Sequence, residues 1–250
     1  MATTSEEDNL ALYTDKMGQE VGPLFLRIKH EFIQIAVKWD FICTIQLSEE
    51  RWRILQTGLG GFSVVLYWNL YESVVSALMR LLDKKENKVK GGVAENLSLR
   101  RLLEVVPKKI YSGVNFQVDE LEKACEELRL IRDKILSHND LDYALGNLTK
   151  PQFPSRIETT NKIKSLLRLL NTIEKYFDFE VFESFPFPPN GNDHAFRLLN
   201  RLHVVDVLLK KEHESALKSL PDIAISRTEF LAAFGYFREE EKEANRYSLI

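Results

Sequence analysis

The sequence predicts an all-α protein, a helical bundle followed by a smaller C-terminal helical appendage. Three observations carry that expectation. Apolar residues recur at three- and four-residue steps along most of the 250 residues, while alternating runs that would signal strands are scarce. Glycine and proline number only 11 and 8, so little punctuates the pattern. Glu and Lys, both good helix formers, supply much of the charge. A 44% hydrophobic content is enough to fill a core in a chain of this length.

Taken in order, residues 1–20 read as a flexible, acidic N-terminal segment. Pro23 suits the first turn of a helix from Val21 to Trp39, with Leu24, Ile28, Phe32, Ile35 and Trp39 on one face. Phe41 to Leu47 reads as a connector. Ser48, followed by Glu49 and Glu50, starts a helix that continues to Leu82, a cap followed by acids at the positive dipole end. Within it, Ile54 to Tyr71 runs 18 residues without a charge, which touches the length needed to span a bilayer. Gln56, Thr57, Ser63 and Asn69 interrupt that run and Glu72 follows it, so a buried core helix is the reading. Gly58, Gly60 and Gly61 imply either a break or another backbone packed close, and close packing is the simpler of the two. GLGG has no preceding strand and lacks the spacing of a nucleotide-binding loop.

Arg80 and Asp83 close this helix, and KKENKVKGG follows as a charged loop. A solvated loop is one reading. The other is that Lys84, Lys85, Lys88 and Lys90, with Arg100 and Arg101, track a phosphate backbone. Those arginines lie on a short helix from Glu95 to Val106, with Ser98 as cap and Pro107 as stop. The central stretch, Leu121 to Asp142, reads as one amphipathic helix capped by Asp119 with Glu122. Leu121, Ala124, Cys125, Leu128, Ile131 and Ile135 form its apolar stripe. Residues 141–157 read as a loop, and Glu158 to Phe177 as a helix with Ile163, Leu166, Leu167, Leu170 and Ile173 inward. PPNGND is a linker, which divides a bundle at 21–185 from an appendage at 186–250. In the appendage, Asp193 starts a helix to Leu220, and a last helix covers Thr228 to Asn245.

Composition narrows the function classes. A net charge of −3 and a pI near 6.0 carry no whole-protein basic signature, so a nucleic-acid role requires a local or composite patch. Cys43 and Cys125 lie in apolar helical surroundings and read as buried thiols of a reducing compartment. MATTSEEDN has no charged-then-apolar signal pattern, which points to the cytoplasm and to no membrane association. No HExxH, Cys/His metal spacing, Walker loop or G-x-S-x-G elbow occurs, and neither a metal nor a cofactor is expected. His203 and His213 are ten apart, off a common helix face.

Arginine and histidine remain. Arg132 and His138 stand where the central helix runs into SHND, poor helix material whose side chains compete for backbone bonds. Six steps of about 100° leave the two roughly 120° apart on a regular helix. They converge if the helix unwinds before His138. An arginine stays charged and offers a fork to phosphate, and a histidine moves protons at neutral pH. Together they can hold a phosphate and move a proton without a metal. The same separation recurs at Arg197 and His203, where Leu198 and an apolar interval read as a chance pair on a helix surface. A plainer reading also stands: Arg132 pairs with Glu126 or Glu127, and His138 caps helix carbonyls. Both residues are expected to be at least partly exposed, so that replacement leaves stability nearly unchanged.

Arg132, Asp133 and His138 within RDKILSHND, with RLLD (Arg80 to Asp83) and ENLSLRRLLE (Glu95 to Glu104) upstream, resemble the HEPN superfamily. The branch they are most similar to is the abortive-infection type U proteins, and the resemblance covers residues 20 to 180. It implies an HEPN-like bundle, a homodimer that brings two Arg–His sets to one cleft, and metal-independent endoribonuclease activity. Arg132 and His138 would be catalytic and Asp133 the polar neighbour that orients them. A phage-defence or toxin–antitoxin setting, with an antitoxin or other defence partner, is implied as well. Many HEPN-like proteins are non-catalytic interaction or scaffold modules, and that alternative stays open. The AMP-transferring branch carries Tyr two residues after the His; here that position is Asp140, which sets that activity aside.

Overall fold

The computed structural model describes residues 5–89, 92–136, 152–181 and 194–218. Helices dominate, and the only strands among those residues form one short hairpin. The helices are α1 Glu6–Met17, α2 Val21–Ile45, α3 Glu49–Leu59, α4 Phe62–Leu81, α5 Leu99–Val105, α6 Lys108–Ala124, α7 Glu126–Ile131, α8 Arg156–Tyr176 and α9 His194–Lys218. A π-helical turn, Arg132–Leu136, follows α7. The hairpin pairs β1, Glu86–Val89, antiparallel with β2, Gly92–Glu95, in the register Lys88 to Val93. The chain is therefore all-α, as its periodicity predicts, with two strands where a charged loop was expected.

Two compact units are present. One comprises residues 1–39 and 70–186, the other residues 40–69 and 187–250. The sequence-based division at 186 put residues 40–69 with the bundle; the structure groups them with the C-terminal segment instead. Within this unit the core is Ile45, Ile54, Leu55 and Leu199, flanked by Phe41, Trp52, Leu59, Leu198 and Leu202. The last turns of α2 carry two of those residues, so Phe41 to Ile45 is helix rather than connector. A Cβ on Gly58 would lie 2.5 Å from Leu202 Cδ2, the close approach expected of this glycine. Gly60 does the other job: its φ of +56° ends α3, donating to Gln56 O, and Ser63 Oγ donates to Gly60 O at 2.7 Å. The single long helix expected from Ser48 to Leu82 is thus two helices.

Apolar character along α4 is likewise divided. Val74, Val75, Leu78 and Met79 are fully buried, whereas Phe62, Val65 and Trp68 are exposed. By length and composition α4 is long and apolar enough to cross a membrane, with 39% of its window buried.

In the larger unit, α6 packs on α8 and α5 on α6. Ser155 begins α8 with a capping box to Glu158. The N-terminal segment departs from expectation, because α1 is a docked helix and not a loose lead-in. Ser5 and Asp8 form a capping box at its start. Tyr13 donates to the buried Glu174 at 2.7 Å and accepts from Lys29 at 2.8 Å. Lys29 also pairs with Glu174 directly. Phe179 stacks on Tyr13 with centroids 4.4 Å apart. Burial and the adjoining Glu174 carboxylate hold the Tyr13 phenol well above its usual pKa. The α1–α2 crossing is tight, since a Cβ on Gly22 would sit 2.8 Å from Thr14 Cα and 2.7 Å from the Tyr13 carbonyl carbon.

Backbone, unlike the tip of a flexible side chain, cannot swing aside. Gly22→Ala should therefore destabilise the protein by about 1–3 kcal/mol through overpacking. Gly113→Ala, in open space on α6, should stabilise it by about 0.5–1 kcal/mol through helix propensity. Urea midpoints of the two variants, measured against the parent chain, check both signs.

Candidate functional site

The central stretch is not one helix. α6 starts at Lys108, directly after Pro107, so Asp119 lies in its interior and does not cap it. There Asp119 accepts from Arg100 at 2.6 Å. The helix breaks at Cys125, whose N–H bonds to both Leu121 and Glu122 carbonyls. Cys125 is buried as expected, and that burial pushes its pKa up to about 12; Cys43 is only half-buried. After the short α7 the backbone widens into the π turn that begins at Arg132. Such π turns concentrate at functional positions. His138 itself lies outside the described residues.

Leu128 and Ile131 are fully buried, which anchors α7 and turns Arg129 and Arg132 toward the end of α4. Asp83 waits there. Arg132 Nη1 donates to both Asp83 oxygens, at 2.9 and 3.0 Å. Its Nε donates to Asp133 Oδ1 at 2.7 Å. Arg129 Nη2 caps the Leu82 carbonyl at 2.9 Å, and its Nη1 lies 3.6 Å from Asp83. Burial disfavours the Arg132 charge, but the hydrogen bonds and charges of Asp133 and Asp83 outweigh it, and the pKa is raised. Arg132 Nη2 has no acceptor among the described residues.

The plain reading paired Arg132 with Glu126 or Glu127, six or five residues away. The structure pairs it with Asp83, 49 residues away, and leaves its side chain only 17% exposed. Arg132 is thus partly exposed and half-buried. Asp83 was legible only as the last letter of RLLD, in the upstream segment that carried the resemblance.

Several proposed RNA-binding cations surround a groove of about 1500 Å³ beside this cluster, formed by the hairpin, α5, α6 and α7. Lys84, Lys85 and Arg100 line it. Lys85 donates to Glu104 at 2.6 Å, and Arg100 to Glu122 at 2.8 and 2.5 Å. Arg101 is absent from the lining and is held by Glu104 at 2.7 Å and Glu95 at 3.4 Å. Lys88 stands in β1 opposite Val93, and Lys90 lies outside the described residues. Sequence reasoning did not place Lys108, Tyr111, Lys123 and Arg129 on the same groove. The i, i+3, i+4 spacing of α6 is the signal that relates the first three.

The second Arg–His pair lies on the uninterrupted helix α9. Arg197 is exposed as expected. His203 is partly buried, and that burial lowers its pKa.

A family model for HEPN proteins described as AbiU2 matches residues 18–200. The chain belongs to the AbiU2 family of HEPN domains. This match includes α2 to α8, both segments of the Asp83–Arg132 cluster and the start of α9, whereas α1 precedes it. No curated protein and no solved structure matches the chain. The family establishes an HEPN-type module of the abortive-infection U branch, with Arg132 and Asp133 of the predicted motif on its π turn.

Because Arg132 bridges two carboxylates at low exposure, its removal strands Asp83 and Asp133 with fewer partners. Arg132→Ala should lower stability by about 1–3 kcal/mol, while Arg197→Ala should stay within about 0.5 kcal/mol. Parallel urea titrations of the two variants check the contrast.

Proposed function

We propose that this HEPN domain is a metal-independent endoribonuclease with Arg132 and His138 as its catalytic pair. The 2′-hydroxyl of one nucleotide attacks the adjacent phosphorus, and the bond from phosphorus to the 5′-oxygen breaks. The products carry a 2′,3′-cyclic phosphate and a 5′-hydroxyl. His138 moves a proton to or from an oxygen in this step. Arg132 stabilises the charge that grows on the non-bridging oxygens, and Asp133 holds its guanidinium in place. The observation that supports this reading is the way Arg132 is held. Nε and Nη1 are committed to Asp133 and Asp83, so the fork is immobilised and Nη2 is left for a phosphate oxygen. The chemistry asks for no cofactor.

A second reading draws on the same contacts. An arginine tied to two carboxylates at 17% exposure also suits a structural link, and the chain would then be a non-catalytic HEPN-like interaction module. In either case the proposed setting is the cytoplasm, in phage defence or a toxin–antitoxin pair, with an antitoxin or other defence protein as partner.

Purified protein incubated with total RNA in EDTA separates the two. Cleavage is expected, with cyclic phosphate ends, and His138→Ala should abolish it. Arg132→Lys should also fail, because lysine keeps the charge but loses the fork, whereas Arg197→Ala should cleave normally. Full activity in His138→Ala, or a requirement for Mg²⁺, would overturn the catalytic reading in favour of the module.

We also propose a homodimer. The exposed Phe62, Val65 and Trp68 of α4 supply apolar surface for self-association. Light scattering at micromolar concentration should return about twice the 29.0 kDa chain mass; a value at the chain mass itself would count against the dimer.

A further inference from the structure

The groove beside Arg132 has a chemistry of its own. Its volume of about 1500 Å³ exceeds the roughly 300–1,000 Å³ typical of pockets for single small molecules. One wall is α6, whose 17 residues extend about 25 Å. A polymer suits that length better than a compact metabolite does.

The charges on the lining are not equivalent. Arg100 is held by Glu122 and Asp119, Lys85 by Glu104, and Arg129 by Leu82 O and Asp83. Among the described residues, Lys84, Lys108 and Lys123 have no such partner, and all three are exposed. Glu86 and Glu126 are the lining acids without one, so a modest positive excess remains. Tyr111 stands on the wall, 45% exposed, one helical turn from Lys108. Partner-free ammonium groups take phosphates, and an exposed aromatic face takes a base irrespective of its identity.

We propose that this groove binds single-stranded nucleic acid, with Lys84, Lys108 and Lys123 on phosphates and Tyr111 stacked on a base. The strand continues past Arg129 to Asp83 and Arg132, so the groove sets where the strand enters the cleavage site. This use of the groove rests on the ribonuclease reading above. Because three ammonium groups meet phosphates, binding is salt-sensitive, and it favours flexible single strands that can bring a base onto Tyr111.

The probe is a fluorescent 2′-O-methyl oligoribonucleotide about a dozen nucleotides long, which lacks the attacking hydroxyl and reports binding alone. Anisotropy titrations of the full chain over a salt series should give a slope of log affinity against log salt of about −2, from three phosphate contacts. Lys84→Ala, Lys108→Ala and Lys123→Ala should each reduce that slope by about 0.7. Tyr111→Ala should weaken binding about tenfold with the slope unchanged. No binding at low salt, or a slope that all three lysine variants leave intact, would overturn the proposal. So would a polyglutamate peptide that binds as tightly, which would make the groove a generic anion surface. Oligonucleotide binding without any RNA cleavage leaves the groove standing and removes the catalytic reading. Cleavage and binding both undiminished in the triple lysine variant do the reverse.

Discussion

The ion pair between Asp83 and Arg132 is the tie on which the candidate site depends. It joins the end of α4 to the start of the π turn, across 49 residues of sequence. Arg129 reinforces it by capping the Leu82 carbonyl. A charge pair at partial burial contributes little by Coulomb attraction alone, because desolvation offsets much of the gain. What it supplies here is geometry. Two carboxylates fix the plane of one guanidinium, and the buried Leu128 and Ile131 fix the helix that carries it.

A similar logic secures the N-terminal helix. Glu174 is almost fully buried, and Lys29 and Tyr13 satisfy it from two other helices. Tyr13 is the partner that α1 supplies, and removing it takes a hydrogen bond from a buried carboxylate at a cost of about 1–3 kcal/mol. That penalty, together with the stacking of Tyr13 on Phe179, explains why an acidic segment with a weak apolar stripe is ordered at all. The family match begins at residue 18, and α1, which precedes it, packs back through Tyr13 onto Lys29 and Glu174.

The glycines show how one short motif does two jobs. Gly58 lets Leu202 approach α3, and Gly60 adopts a positive φ that ends it. Break and close packing were alternatives when read from composition. Both occur, two residues apart, because the requirement at each position is different. One lacks room for a Cβ, and the other needs a backbone conformation that an L side chain resists.

Local chemistry was legible in the sequence. The helical class, the Ser48 and Ser98 starts, the stop at Pro107 and the inward face of α8 follow from capping, propensity and period, all of which act within a few residues. The motif Arg132, Asp133 and His138 and its flanking segments were legible in the same way, and they led to the right family. Tertiary structure alone decided which charges are spent. Arg100, Arg101 and Lys85 looked as available as Lys84 and Lys108, and only folding set carboxylates against the first three. It also chose Asp83 over the nearer Glu126 and Glu127 as the partner of Arg132. The reason is physical: a long side chain pairs with whatever acid the fold brings within reach, and sequence separation does not measure that distance.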